Sequence, residues 1–104
     1  MQLTSDLEAA GGPVVSIVGE VDLASAGQLR SAGRAAVTAA ESGAQIVLDI
    51  RGVTFLDSTG VGALVDIVNA AAEKGTSVVL RSTPDRVRKI LEITGVLDRF
   101  SLEP

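Results

Sequence analysis

The 104-residue chain contains no cysteine and no histidine. Those two absences remove disulfides, thiol nucleophiles, imidazole bases and almost every zinc or transition-metal site. Catalysis by a Ser-His-Asp or Cys-His arrangement is excluded with them, and a Ser-Lys pair could draw only on Lys74 or Lys89, neither at a recognisable spacing from a serine. The expectation is therefore no metal, no cofactor and no catalytic residue. Tryptophan and tyrosine are also missing, and Phe55 and Phe100 are the only aromatics, which argues against a pocket that stacks nucleotide bases. Basic residues number 9 against 13 acidic ones, for a net charge of -4, so the chain has no electrostatic reason to approach nucleic acid or an anionic membrane. Long apolar runs are lacking too: the stretch from Val61 to Ala72 is broken by Asp66 and Asn69 and is shorter than the ~20 residues of a membrane span. The N-terminus, Met1 to Asp6, has neither the basic start nor the apolar run of a secretion signal. These features predict one soluble, cytoplasmic domain.

What is present is a core of Val, Ile, Leu and Ala, within 46% hydrophobic residues overall. Val14 to Val18 is rich in β-branched residues and follows the turn residues Gly11-Gly12-Pro13, which predicts a strand; a weaker strand over residues 3–7 would pair with it as a hairpin. Ser25-Ala26-Gly27-Gln28 has capping-box spacing, and Leu29, Ala32, Ala36, Val37 and Ala40 continue at helical spacing towards Gly43. Ile46 to Ile50 is a nearly continuous apolar run of central-strand character, with Asp49 expected to point out of the sheet. Residues 51–56 read as a link to a second, well-buried helix over 58–74 that Gly75 stops. Ser77 to Arg81 is another strand. Thr83-Pro84 predicts a capping hydroxyl before a helix-starting proline, Gly95-Val96 a Schellman ending, and residues 100–102 a last short strand. The order β-β-α-β-α-β-α-β implies a single α/β domain with a mixed sheet whose later strands are parallel.

Phosphate-binding motifs are absent. Lys74-Gly75-Thr76-Ser77 has the letters of a phosphate loop in the wrong order, and Gly60-Val61-Gly62 lacks the third glycine of a dinucleotide fingerprint, Val65 standing there. Arg81, Arg86, Arg88 and Lys89 gather in one region and read as a solvated helix face, with a local partner patch as the alternative. The segment Asp57-Ser58-Thr59-Gly60 stands out, because every residue in it suits a helix start. It has two readings. One is capping alone, with Asp57 or Ser58 accepting a bond from a free backbone N–H. The other is a surface loop presenting hydroxyls to a partner, where a phosphate would add about 1.5 to 2 negative charges at a helix end that tolerates anions.

Gly19-Glu20-Val21-Asp22, the run from Val47 to Gly62 and Thr94-Gly95-Val96 together resemble the STAS-domain anti-sigma factor antagonists over nearly the whole chain. That resemblance implies partner switching. The unphosphorylated antagonist binds an anti-sigma factor, itself an ATP-dependent serine kinase, and frees a sigma factor; the kinase phosphorylates the antagonist and releases it, and a PP2C-type phosphatase restores it. It further implies that Ser58 is the acceptor, that Asp57 and Thr59 flank it, that Gly60 allows close backbone approach, and that Glu20 and Asp22 lie near the loop and contact the partner. Many relatives have serine where this chain has Thr59, which makes Thr59 a competing acceptor. The chain ends at Pro104, leaving little room for the terminal helix many relatives carry. The alternative within the same resemblance is a scaffold or transporter-associated STAS domain with no phosphate cycle.

Overall fold

A computed structural model describes residues 1–7 and 12–104. Its elements are β1 (Gln2–Leu7), β2 (Pro13–Val21), α1 (Ala26–Ala39), β3 (Gln45–Leu56), α2 (Ser58–Lys74), β4 (Ser77–Arg81), α3 (Asp85–Ile93), a 3-10 turn (Leu97–Arg99) and β5 (Ser101–Glu103). The expected order is present, and the five strands lie side by side in chain order. β1 is antiparallel to β2, and the pairs β2 with β3, β3 with β4 and β4 with β5 are parallel. Antiparallel neighbours need only a short turn, whereas each parallel pair is joined through a helical crossover. The turn expected at Gly11-Gly12-Pro13 falls partly outside the described residues.

Alternation along the strands sends Val15, Ile17, Ile46, Leu48, Ile50, Val78 and Leu80 to the side where α1, α2 and α3 contribute Leu29, Leu64, Ile67, Val87 and Leu91 to one core cluster. Val14, Val47 and Val79 form a small separate cluster on the opposite face. α1 and α2 approach closely because Gly33 is bare: a Cβ there would sit 2.3 Å from Cδ1 of Ile67. Arg30 and Asp66 bridge the same pair of helices at 2.6 Å, and Nζ of Lys74 donates to the carbonyls of Val37 and Thr38 at the end of α1. Among the described residues no helix is long and apolar enough to cross a membrane.

Residues 51–56 depart from the expected link, because they continue β3. Ser16 pairs with Asp49 but Val18 with Gly52, and Gly19 pairs with Val53 but Glu20 with Phe55. β3 thus holds one extra residue relative to β2 at each of two places, and the interval between its core-facing residues stretches from two (Ile46, Leu48, Ile50) to three (Ile50, Val53, Leu56). The broken alternation hides a strand that its bulges keep in phase with the core.

Two expected caps also differ. Ser25 makes no capping bond to the start of α1; its hydroxyl turns back and accepts from the N–H of Asp22. The helix α3 begins at Asp85 with Pro84 as its cap residue, and Oγ1 of Thr83 is buried with no hydrogen-bond partner among the described residues. Short hydroxyl side chains compete among several local backbone bonds, so spacing alone does not decide which one forms. The end of α3 matches the Schellman expectation: Gly95 has φ of 76°, and the N–H groups of Val96 and Gly95 donate to the carbonyls of Leu91 and Glu92, each at 3.0 Å. The last strand is Ser101–Glu103, one residue later than expected, with Phe100 buried ahead of it.

Candidate functional site

The C-terminal ends of β2 and β3 lie side by side, Glu20 opposite Phe55 and Val21 opposite Leu56. The turn into α2 is tied to β2 directly, since the N–H of Asp57 donates to the carbonyl of Val21 at 3.2 Å. The Gly19–Asp22 segment and the Asp57–Gly60 segment, about 35 residues apart in sequence, therefore form one surface, and Glu20 and Asp22 do lie beside the loop.

Asp57 is the cap of α2. Its backbone is extended, with φ of -99° and ψ of -174°, and its Oδ1 accepts from the N–H of Thr59 at 2.9 Å, the N–H of Gly60 at 3.0 Å and the hydroxyl of Thr59 at 2.5 Å. The Thr59 hydroxyl foremost, with the N–H groups of Gly60, Thr59 and Leu23, holds the carboxyl below the ordinary aspartate value of 3.8, while desolvation pulls the other way. Bonds donated to the ionised form favour it.

That division of labour leaves Ser58 apart. It is the first residue of α2, it is exposed, and its hydroxyl makes no hydrogen bond to any described residue. The helix start is satisfied by Asp57 alone, so the choice between Asp57 and Ser58 as cap falls to Asp57. Gly60 is buried, and the close approach its lack of a side chain permits is internal. A Cβ there would meet Cδ1 of Leu56 at 2.5 Å and both Cγ1 and the carbonyl oxygen of Val21 at 3.0 Å.

Glu20 is exposed and Asp22 half-buried. The Asp22 carboxylate accepts from the N–H of Ala24 at 3.1 Å and lies 3.1 Å from the hydroxyl of Ser25, whose single proton is shared with the carbonyl of Glu20. Ser25, only 8% exposed, thus holds the turn that carries both acidic residues. Sequence reasoning assigns it to the helix cap instead; the Asp-x-x-Ser spacing from Asp22 is the signal that points to the turn. Two apolar side chains, also unassigned by the sequence, flank the loop: Leu23 is 79% exposed and Phe55 46%.

Asp49 lies outside this surface. It projects from the other face of the sheet and accepts from the N–H and the guanidinium of Arg51. Of the basic group, Arg81 pairs with Glu103 at 2.5 Å and Arg88 with Glu92 at 3.3 Å.

A family model described as Mlab, STAS domain, matches residues 5–103. The anti-sigma-B factor antagonist of Bacillus subtilis (strain 168) is 34% identical over 84 residues, which are 81% of this chain and 74% of that protein. A crystal structure of an anti-sigma factor antagonist from Mycobacterium paratuberculosis superposes with a TM-score of 0.76 at 31% identity, covering 99% of this chain and 86% of the other. The anti-sigma factor antagonist SpoIIAA shares the fold in its unphosphorylated form, with a TM-score of 0.75 at 17% identity over 99% of this chain and 88% of that one.

Proposed function

Because the chain belongs to the STAS domain family, we propose that it is an anti-sigma factor antagonist whose binding state is set by phosphate on Ser58. The observation that carries this reading is the exposed, unbonded hydroxyl of Ser58 on the first turn of a helix already capped by Asp57. A hydroxyl in that position can enter another protein's active site without unravelling the helix. Unmodified, the surface formed by Glu20, Asp22, Asp57, Ser58 and Thr59, seated on the buried Gly60, binds an anti-sigma factor in the cytoplasm and so frees a sigma factor.

The anti-sigma factor is a serine kinase and returns the chain to its unbound state. Oγ of Ser58 bonds to the γ-phosphorus of ATP as the bond from that phosphorus to the bridging oxygen breaks; ADP leaves and the hydroxyl proton passes to a base of the kinase. The new phosphate is tolerated by the free chain, since the start of α2 favours negative charge. It is not tolerated at an interface that buries it beside Asp57, Glu20 and Asp22, where like charges are brought together. A PP2C-type phosphatase then delivers water to the phosphorus; the bond from phosphorus to Oγ breaks, Oγ regains a proton and inorganic phosphate leaves, restoring the serine. The chain supplies the substrate hydroxyl, and its partners supply the catalysis.

The test compares wild type, Ser58→Ala and Ser58→Glu for binding to the anti-sigma factor kinase by calorimetry, with phosphosite mapping after incubation with ATP. Ser58→Ala is expected to bind like wild type and Ser58→Glu about a hundredfold or more weaker. Equal binding by both variants, or phosphate on neither Ser58 nor Thr59 of the wild type, would overturn the proposal.

A further inference from the structure

The loop carries two adjacent hydroxyls, and a kinase that reaches one reaches within a residue of the other. We infer that Asp57 is the specificity-determining residue of this loop: it sequesters the Thr59 hydroxyl and leaves Ser58 as the acceptor. The inference rests on the phosphate cycle proposed above and deepens it.

The two hydroxyls differ in what they are bonded to. Oγ1 of Thr59 donates its proton to Oδ1 of Asp57 at 2.5 Å, and Thr59 is half-buried. Ser58 is exposed and has no such partner among the described residues. For Thr59 to attack a γ-phosphorus it must first break a hydrogen bond to a charged acceptor, roughly twice as strong as one between neutral groups. Its oxygen must also meet an anionic phosphate within a bond's length of the Asp57 carboxylate, where like charges repel.

The same carboxylate is poorly suited to activate Thr59 as a base. Oδ1 already accepts from two backbone N–H groups as well as the hydroxyl, and the carboxyl is held below its ordinary value, which lowers its proton affinity. Rotating Thr59 outward would also strip one of the bonds that fix the cap. Ser58 has no such bond to break, and its attack takes none away from the cap. In both cases the transfer would balance in the same way, with the attacking oxygen losing its proton to the kinase and ADP leaving, so the difference lies in the ground state of the loop.

The experiment reads the ratio of phosphate at Ser58 to phosphate at Thr59 within single protein molecules, by fragmentation mass spectrometry at early times. It uses the kinase that modifies the wild type, with magnesium and ATP. Wild type is expected to favour Ser58 by more than about tenfold. Thr59→Ser keeps the bond to Asp57 and makes the two hydroxyls chemically alike; it is expected to retain that ratio, and parity between the two sites would overturn the inference. Asp57→Asn keeps a competent cap but offers a neutral acceptor, and is expected to move the ratio towards Thr59 by about tenfold. An unchanged ratio in Asp57→Asn would also overturn it. A purely structural or binding role of Asp57 would slow both sites together and leave the ratio where it was. Failure of the phosphate cycle itself is seen separately, as wild type modified at neither residue.

Discussion

At the scale of the residue, the site turns on which oxygen does which job. The sequence makes Asp57, Ser58 and Thr59 equally suited to a helix start, because capping preferences are shared by all short oxygen-bearing side chains. Their assignment depends on χ angles and on the neighbouring strand, and neither is written locally. Once Asp57 is placed against the N–H groups of Thr59 and Gly60, Ser58 is released and Thr59 is tied. Ser25 and Thr83 show the same ambiguity resolved against the simplest reading. Asp57 also makes the stability of the protein respond to acid. Its carboxyl is depressed in the folded state, so the unfolded chain binds the proton more readily, and the stabilisation is complete above the ordinary value of 3.8 and lost as pH falls through the lower folded value. The expected outcome is a melting temperature that exceeds that of Asp57→Asn near neutrality, with the gap narrowing on acidification below 3.8. A gap that stays constant through that range would contradict the linkage.

At the scale of the element, most of the fold was legible, because helices and strands announce themselves by period. Residues 51–56 are the exception, and the reason is physical. β3 is held by pairing to β2 rather than by alternation of its own, and two extra residues disguise its periodicity. Glycines in α2 give a direct measure of how tightly that helix seats on the sheet. Gly60 faces Leu56 and Val21 at distances a side chain cannot share, whereas nothing lies within 4 Å of a Cβ built on Gly62. Gly60→Ala is therefore expected to lose about 1 to 3 kcal/mol to overpacking, and Gly62→Ala to gain about 0.5 to 1 kcal/mol from helix propensity. Urea denaturation with an unchanged slope distinguishes the two. Similar effects from both substitutions would mean that α2 does not pack as described.

At the scale of the whole molecule, the chain order of elements sufficed to predict a mixed sheet with parallel later strands, since each of β3, β4 and β5 follows a helical crossover from the strand before it. What no local pattern could give is that Gly19–Asp22 and Asp57–Gly60 share a surface; the resemblance supplied that expectation, and the pairing of Glu20 with Phe55 and of Val21 with Leu56 supplies its cause. Because the Ser58 hydroxyl is exposed and outside every described hydrogen bond, phosphorylation there should leave this architecture intact. Amide chemical-shift changes on phosphorylation are expected to be confined to residues 19–24 and 57–62, with β4, α3 and β5 unmoved; changes spread through those elements would indicate a global rearrangement. The pairing of β3 with β2 has a further consequence, for transplantation. The loop is not a portable tetrapeptide: it is fastened to the neighbouring strand by the bond from the N–H of Asp57 to the carbonyl of Val21 and by the seating of the bare Gly60 against Val21. An engineered host that received Asp57–Gly60 alone would lack that fastening, so the smallest unit that can be moved between proteins is the β2–β3 pair together with the first turn of α2.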